Sequence, residues 1–143
     1  MRLGYTLVEV ALALVITALL LGIALPNFTA VKQEIAVESA AQALAAAHRR
    51  ARTLAITRGH TAVLSVAERR LRITVAGVAQ PEWSAPGPLE QGVVLAGAPR
   101  ELTFSPLGLT TGLSNASFHL SLGAAYRTVV TSRLGRVRIL RGP

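Results

Sequence analysis

Residues 4–31, Gly-Tyr-Thr-Leu-Val-Glu-Val-Ala-Leu-Ala-Leu-Val-Ile-Thr-Ala-Leu-Leu-Leu-Gly-Ile-Ala-Leu-Pro-Asn-Phe-Thr-Ala-Val, decide how the rest of the chain is organised. No charged residue occurs between Val10 and Val31, and Val10 to Leu25 is almost wholly apolar. About 20 residues at 1.5 Å each span a bilayer core, so 5–27 is long enough for a membrane helix. A cleaved secretory signal has a basic start, a short apolar core and a small-residue cut site; here the apolar run begins almost at once and is longer. Glu9 stands just inside it. A carboxylate costs roughly 2.5 kcal/mol or more at the centre of a membrane helix, which makes such a group functional by default.

Outward from this segment the helical pattern continues. Phe28, Val31, Ile35, Leu44, Ala47, Ala51 and Leu54 follow 3-4 spacing, with Ala40 between, while Lys32, Glu34, Glu38, Gln42, Arg49 and Arg52 take other faces. The alanine-rich run 40–47 favours helix, and Arg58-Gly59 supplies a basic last turn with a glycine beyond it. Pro26 is expected to bend or loosen the helix. After Gly59 the period changes to two. Residues 61–67 and 70–75 form a predicted hairpin with Leu64, Val66, Leu71, Ile73 and Val75 inward. Residues 80–92, rich in Pro, Gly and Glu, are expected to be a loop. Further strands are predicted at 93–96, 101–104, 117–122, 126–131 and 136–140, with turns at Ser105-Pro106-Leu107-Gly108 and Ser114-Asn115. The expected fold is α+β, a long N-terminal helix whose first half spans a membrane and whose second half packs on one antiparallel sheet.

With 143 residues, the chain holds one domain and an anchor. The formal charge is +8, and 14 of the 15 basic residues are arginine, which suits a polyanionic partner. The absence of cysteine excludes a disulfide or a thiolate metal site. His48, His60 and His119 are scattered and approach no acidic set at metal-ligand spacing; His48 is expected on the helix surface and His119 toward solvent. No catalytic constellation or cofactor loop is present, and the expectation is a non-enzyme without cofactors.

The segment Met1-Arg2-Leu3-Gly4-Tyr5-Thr6-Leu7-Val8-Glu9-Val10 resembles the prepilin peptidase site of type IV pilins and type II secretion pseudopilins. The resemblance implies a leader over 1–4, cleavage between Gly4 and Tyr5 by a prepilin peptidase, and N-methylation of Tyr5. It further implies a transmembrane and assembly helix over 5–27, with Glu9 and Pro26 at the family's assembly positions. An amphipathic helix over 28–59 then enters a β-rich head, 60–143. In lipid, the Glu9 carboxylate of one subunit and the N-terminal amine of another satisfy each other and lock their register. The resemblance continues through the head and narrows to the GspH/FimT pseudopilins. It is carried by the helix end 49–59, the Phe104-Ser105-Pro106-Leu107-Gly108 turn and the closing segment 129–138.

Partners implied by the family are other pilins or pseudopilins and the inner membrane, with a periplasmic head. Some FimT-like members are associated with DNA capture through a Gly-Arg-x-Arg motif. Here Gly135, Arg136 and Arg138 match it, with Arg133, Arg127 or Arg141 expected alongside. In a strand, Arg136 and Arg138 share one face while Val137 enters the core. Arginines on an edge strand also blunt unwanted pairing, so a solvated edge or a subunit contact stands beside double-stranded DNA as a reading of the same residues. With no aromatic interleaving in the sequence, any grip on DNA is expected on phosphates and blind to base sequence. The assignment the resemblance implies is a minor pilin that starts or caps a type IV pilus, with DNA uptake in natural transformation as its specialised role. The alternative is a tip pseudopilin of a type II secretion system that contacts exported protein and other pseudopilins.

Overall fold

A computed structural model describes residues 4–112 and 116–142, excluding the side chains of residues 23–27. The leader residues Met1, Arg2 and Leu3 and the expected turn at Ser114-Asn115 lie outside the described residues. The chain divides into two compact units, Met1–Lys32 and Gln33–Pro143.

Helix α1 (Leu7–Arg58) begins in the first unit and ends in the second. Its start is fixed by a reciprocal cap. The Thr6 backbone N–H and hydroxyl both donate to Glu9 Oε2 at 3.1 Å, and the Glu9 N–H donates to Thr6 Oγ1 at 3.3 Å. This Thr-x-x-Glu box satisfies amide groups that every helix start leaves open. The helix runs unbroken through Pro26, whose side chain is outside the described ones. From Tyr5 to Leu21 the large apolar side chains are exposed, from 49% at Ile16 to 86% at Tyr5 and Leu7. Among the described residues no helix is long and apolar enough to cross a membrane; the side chains of 23–27 fall inside the span expected from the sequence.

In the second unit the buried stripe of α1 is Val37, Ala41, Leu44, His48, Ala51 and Ala55, a strict alternation of four and three residues. Phe28, Val31 and Ile35, placed on the apolar stripe by sequence spacing, are exposed, and Leu54 only borders the core. His48, expected on the surface, falls on the stripe and is 1% exposed. Gly59, with φ of 65°, ends the helix where predicted.

Among the described residues nine strands follow: β1 (Ala62–Val66), β2 (Arg70–Val75), β3 (Trp83–Pro86), β4 (Val94–Ala96), β5 (Arg100–Phe104), β6 (Thr110–Thr111), β7 (Ala116–Leu122), β8 (Ala125–Thr131) and β9 (Val137–Arg141). They form two antiparallel sheets rather than the single one expected, in the orders β3-β2-β1-β5-β6 and β4-β7-β8-β9. Both contribute to one core. Leu64, Ile73, Leu102 and Phe104 come from the first sheet and Leu95, Phe118, Leu120 and Val129 from the second, against the alanine-rich helix face.

The segment 80–92 is not a plain loop. Trp83–Pro86 pairs with β2, Ile73 opposite Trp83, and a 3-10 turn follows at Pro88–Gln91. Pro86 ends a strand at the sheet edge, where its missing N–H costs no ladder bond. The sheets are joined at β6, where the Thr110 amide donates to the Arg133 carbonyl at 3.3 Å. The Thr110 hydroxyl donates to the Arg133 and Ser132 carbonyls at 2.9 and 3.2 Å.

Candidate functional site

The three segments of the head that carry the family resemblance meet in space. At Gly108, φ is 74°, and an added Cβ would lie 2.7 Å from Ile56 Cδ1 on the last turns of α1. At Gly135, φ is 69°, and a Cβ would lie 2.7 Å from the Gly108 carbonyl and 3.2 Å from Arg52 Nε. Arg52 also donates from its guanidinium to the Gly135 carbonyl at 3.3 Å. The glycine of Gly-Arg-x-Arg is therefore a packing residue: it lets the β8–β9 turn close on the β5–β6 turn and the helix end.

Around this junction four large apolar side chains face solvent, Ile56 at 50%, Leu107 at 80%, Leu109 at 42% and Leu134 at 65% exposed. Grouped apolar exposure of this kind differs from the single exposed apolar side chains of an ordinary surface.

Beyond Gly135 the chain enters β9, the last strand of its sheet. Arg136 and Arg138 are exposed and line one side of a groove with Val130, Ser132 and Leu134. Val137, between them, packs against the core as expected. Neither arginine is in a salt bridge among the described residues. Arg133 is exposed in the preceding turn.

Arg127 and Arg141 do not join this face. They are paired across β8 and β9, and directly opposed residues share a side of the sheet; that side faces the helix. The Arg127 side chain is 5% exposed and forms ion pairs with Glu34 and, at 2.7 Å, Glu38. These carboxylates hold its proton more firmly, Glu34 first and then Glu38. Glu38 in turn is held below the usual carboxylate range, first by the Gln42 amide at 3.0 Å and then by Arg127. Arg141 is exposed but lines a groove with Glu34, Glu38 and Gln42. The sequence grouped Arg127 with the free cations because nothing in a strand pattern announces a distant pair of carboxylates one helical turn apart.

At the other end of the chain, Tyr5 and Glu9 line a shallow groove with Val10, Ala13, Leu14 and Thr17. Gly4 and Tyr5 lie exposed ahead of the helix cap.

The outer face of the β4–β9 sheet holds a pair that the sequence did not suggest. His119 and Tyr126 stack with ring centroids 5.9 Å apart and planes at 22°. The Tyr126 hydroxyl hydrogen-bonds His119 Nδ1, which also lies 3.2 Å from Thr128 Oγ1. His119 is exposed, as expected. Its ring partner is brought in only by the β7–β8 register, His119 opposite Thr128 and Ser121 opposite Tyr126.

His48 makes an edge contact with Phe104, centroids 4.9 Å apart, and neither ring nitrogen has a hydrogen-bond partner among the described residues. Burial, reinforced by Arg52 and Arg49, lowers its pKa to about 4. Among the described residues no group of three His, Cys, Asp or Glu could hold a metal ion.

The family model of the type II transport protein GspH matches residues 40–135, more than half of the chain. The match includes the helix end 49–59, the 104–108 turn and the closing segment up to Gly135, and stops before Arg136 and Arg138. Among solved structures, the chain is similar to the type IV minor pilin FimU of Pseudomonas aeruginosa in two crystal forms. One match has 20% identity, covers 72% of this chain and 91% of FimU, and has a TM-score of 0.58. The other also has 20% identity, with 75% and 88% covered and a TM-score of 0.59. The minor pseudopilin EpsH of the Vibrio cholerae type 2 secretion system matches at 18% identity over 73% of this chain and 96% of EpsH, with a TM-score of 0.50. At such identities the likeness is one of fold. No curated protein matches the chain. The match to the family model settles the assignment: the chain belongs to the GspH family, as a structural, non-enzymatic minor pilin or pseudopilin of type IV pilus or type II secretion systems.

Proposed function

We propose that this pseudopilin is cut between Gly4 and Tyr5 by a prepilin peptidase, methylated at Tyr5 and held in the inner membrane by residues 5–27 with its head in the periplasm. It then assembles with other pilins at the start or tip of a type IV pilus-like filament. There the edge carrying Gly135, Arg136 and Arg138 meets double-stranded DNA. The observation that carries the anchor is the run of exposed large apolar side chains from Tyr5 to Leu21, which water solvates poorly and lipid or neighbouring helices cover. Glu9, already capping its own helix through Thr6, keeps carboxylate lone pairs for a second subunit's amine. The apolar grouping of Ile56, Leu107, Leu109 and Leu134 supports a further contact with a neighbouring head.

For DNA, the support is two exposed arginines, Arg138 on the edge strand β9 and Arg136 just ahead of it, neither in a salt bridge among the described residues. Binding of a duplex by the full chain in nonionic micelles tests it. Each phosphate neutralised contributes about −0.9 to the slope of log K against log salt. Arg136→Gln with Arg138→Gln is expected to shrink the slope by roughly 1.8 and weaken all sequences alike. Arg69→Gln with Arg70→Gln removes equal charge elsewhere; equal losses from both pairs would discard the site. A type II secretion pseudopilin whose head contacts exported protein is the second reading, favoured by the type II transport family model itself. An intact edge that binds no duplex at low salt would select it.

A further inference from the structure

The outer face of the β4–β9 sheet is built of rows set by register. Ser117, Val130 and Arg138 form one row, His119, Thr128 and Leu140 the next, and Ser121 and Tyr126 a third. Rows on one face are about 6.6–7 Å apart, so the aromatic pair lies one to two rows from Arg138. Ala96 and Val94 extend the second and third rows onto β4. None of these residues is acidic, and the face is bounded on one side by the groove that Arg136 and Arg138 line. Other aromatic side chains of the head are unavailable: Phe104 and Phe118 are buried, and Arg50 already lies 5.5 Å from the Trp83 ring centroid. The His119–Tyr126 pair is held flat by its own hydrogen bond and by the bond network to Thr128. That makes it a preorganised surface rather than two mobile side chains.

An aromatic surface next to cations on an open sheet face has a specific complement. In duplex DNA the base faces are stacked on each other, and a ring on the protein meets only phosphate and sugar. In an unpaired strand each base offers a π-face, and base–aromatic stacking accepts every base. From this arrangement we propose that the face binds single-stranded DNA, an unpaired base stacking on the His119–Tyr126 pair while Arg138 and Arg136 hold the flanking phosphates. The inference rests on the reading that the basic edge meets DNA, and it narrows the preferred ligand to unpaired strands or frayed ends.

The test uses the full chain in nonionic micelles, a fluorescein-labelled single strand of mixed sequence and the duplex it forms with its complement, read by anisotropy. Tyr126→Leu is expected to weaken single-strand binding on the order of tenfold and duplex binding by less than about twofold. Tyr126→Phe, which keeps the ring and loses the hydroxyl, is expected to retain most of the single-strand affinity. His119→Leu, at an exposed position, gives the same comparison if Tyr126→Leu proves unfolded by circular dichroism. Equal losses on both ligands, or single-strand binding unmoved by Tyr126→Leu and His119→Leu, would overturn the proposal while leaving the duplex reading standing. A wild-type chain that binds neither ligand would remove both.

Discussion

Lowering the pH from 7.5 to 4.5 should destabilise the head through one residue, His48. The imidazole lies on the buried stripe of α1 against the edge of Phe104, with no hydrogen-bond partner on either nitrogen among the described residues. Burial, then Arg52 and Arg49, lower its pKa to about 4 from an ordinary 6.5. Between those values the unfolded chain binds a proton that the folded chain refuses, so stability rises with pH across the window and falls as acid is added. The slope approaches about 1.4 kcal/mol per pH unit, and the loss is on the order of 2–3 kcal/mol at pH 4.5. That is a large share of a small domain's 5–15 kcal/mol or so. Glu38, whose folded pKa is held down, loses its stabilising contribution only as pH falls below the usual 4.5 toward its lowered value, outside this window. Urea unfolding of the full chain in nonionic micelles, followed by Trp83 emission at several pH values, measures the slope. His48→Leu keeps an apolar volume and removes two unpartnered nitrogens, so it should match or exceed the wild type at pH 7.5 and flatten the profile. A wild-type profile already flat between pH 4.5 and 6.5, or an unchanged slope in His48→Leu, would refute the reasoning.

Arg127→Gln should cost about 2 kcal/mol in the same assay. Breaking a buried pair costs roughly 3–5 kcal/mol, discounted here because Glu34 and Glu38 remain 51% and 36% exposed; Arg136→Gln should stay within about 0.5 kcal/mol. Gly135→Ala should destabilise by about 1–3 kcal/mol, since the new Cβ meets the Gly108 carbonyl at 2.7 Å in a left-handed backbone. Leu107→Ser with Leu134→Ser should leave urea stability within about 0.5 kcal/mol yet reduce recovery of the chain in sheared filaments, and normal recovery would separate the apolar grouping from assembly.

The sequence was most informative where periodicity was strong. The hairpin residues Leu64, Val66, Leu71, Ile73 and Val75 are buried as the alternation required, and Arg58-Gly59 ends the helix. It misled where one periodic pattern fits two phases. Starting the helical stripe at Phe28 includes Ile35 and leaves His48 outside, whereas starting it at Val37 places His48 in the core. Only the sheets, by covering one face and not the other, choose between them. Trp83–Pro86 was obscured for a related reason: proline and glycine mark a loop in isolation, yet an edge strand tolerates proline at its end. Two sheets instead of one follow from pairing partners far apart in sequence, β1 with β5 and β4 with β7, which strand periodicity does not specify. The capping box was present in plain view as Thr6-Leu7-Val8-Glu9, but the carboxylate's place in an apolar run drew attention to lipid rather than to the helix start.

The same distinction bears on the Gly-Arg-x-Arg segment. Its glycine is accounted for by the Gly108 and Arg52 contacts, whatever the arginines touch, so Gly135 carries no information about a ligand. Val137, the first residue of β9, is drawn into the core, and Arg136 and Arg138 on either side of it line one groove. What packing does not explain is why that face carries unpaired charge while Arg127, on the opposite face of the neighbouring strand, is fully matched by two carboxylates. Charge of either sign would blunt the edge strand against unwanted pairing; a positive sign is what an anionic partner adds to that requirement. On the function proposed above, the charge on Arg136 and Arg138 is the part of the motif that would meet an anionic partner. On the further proposal, the stacked pair, one to two rows from Arg138, is the part that would tell a paired strand from an unpaired one.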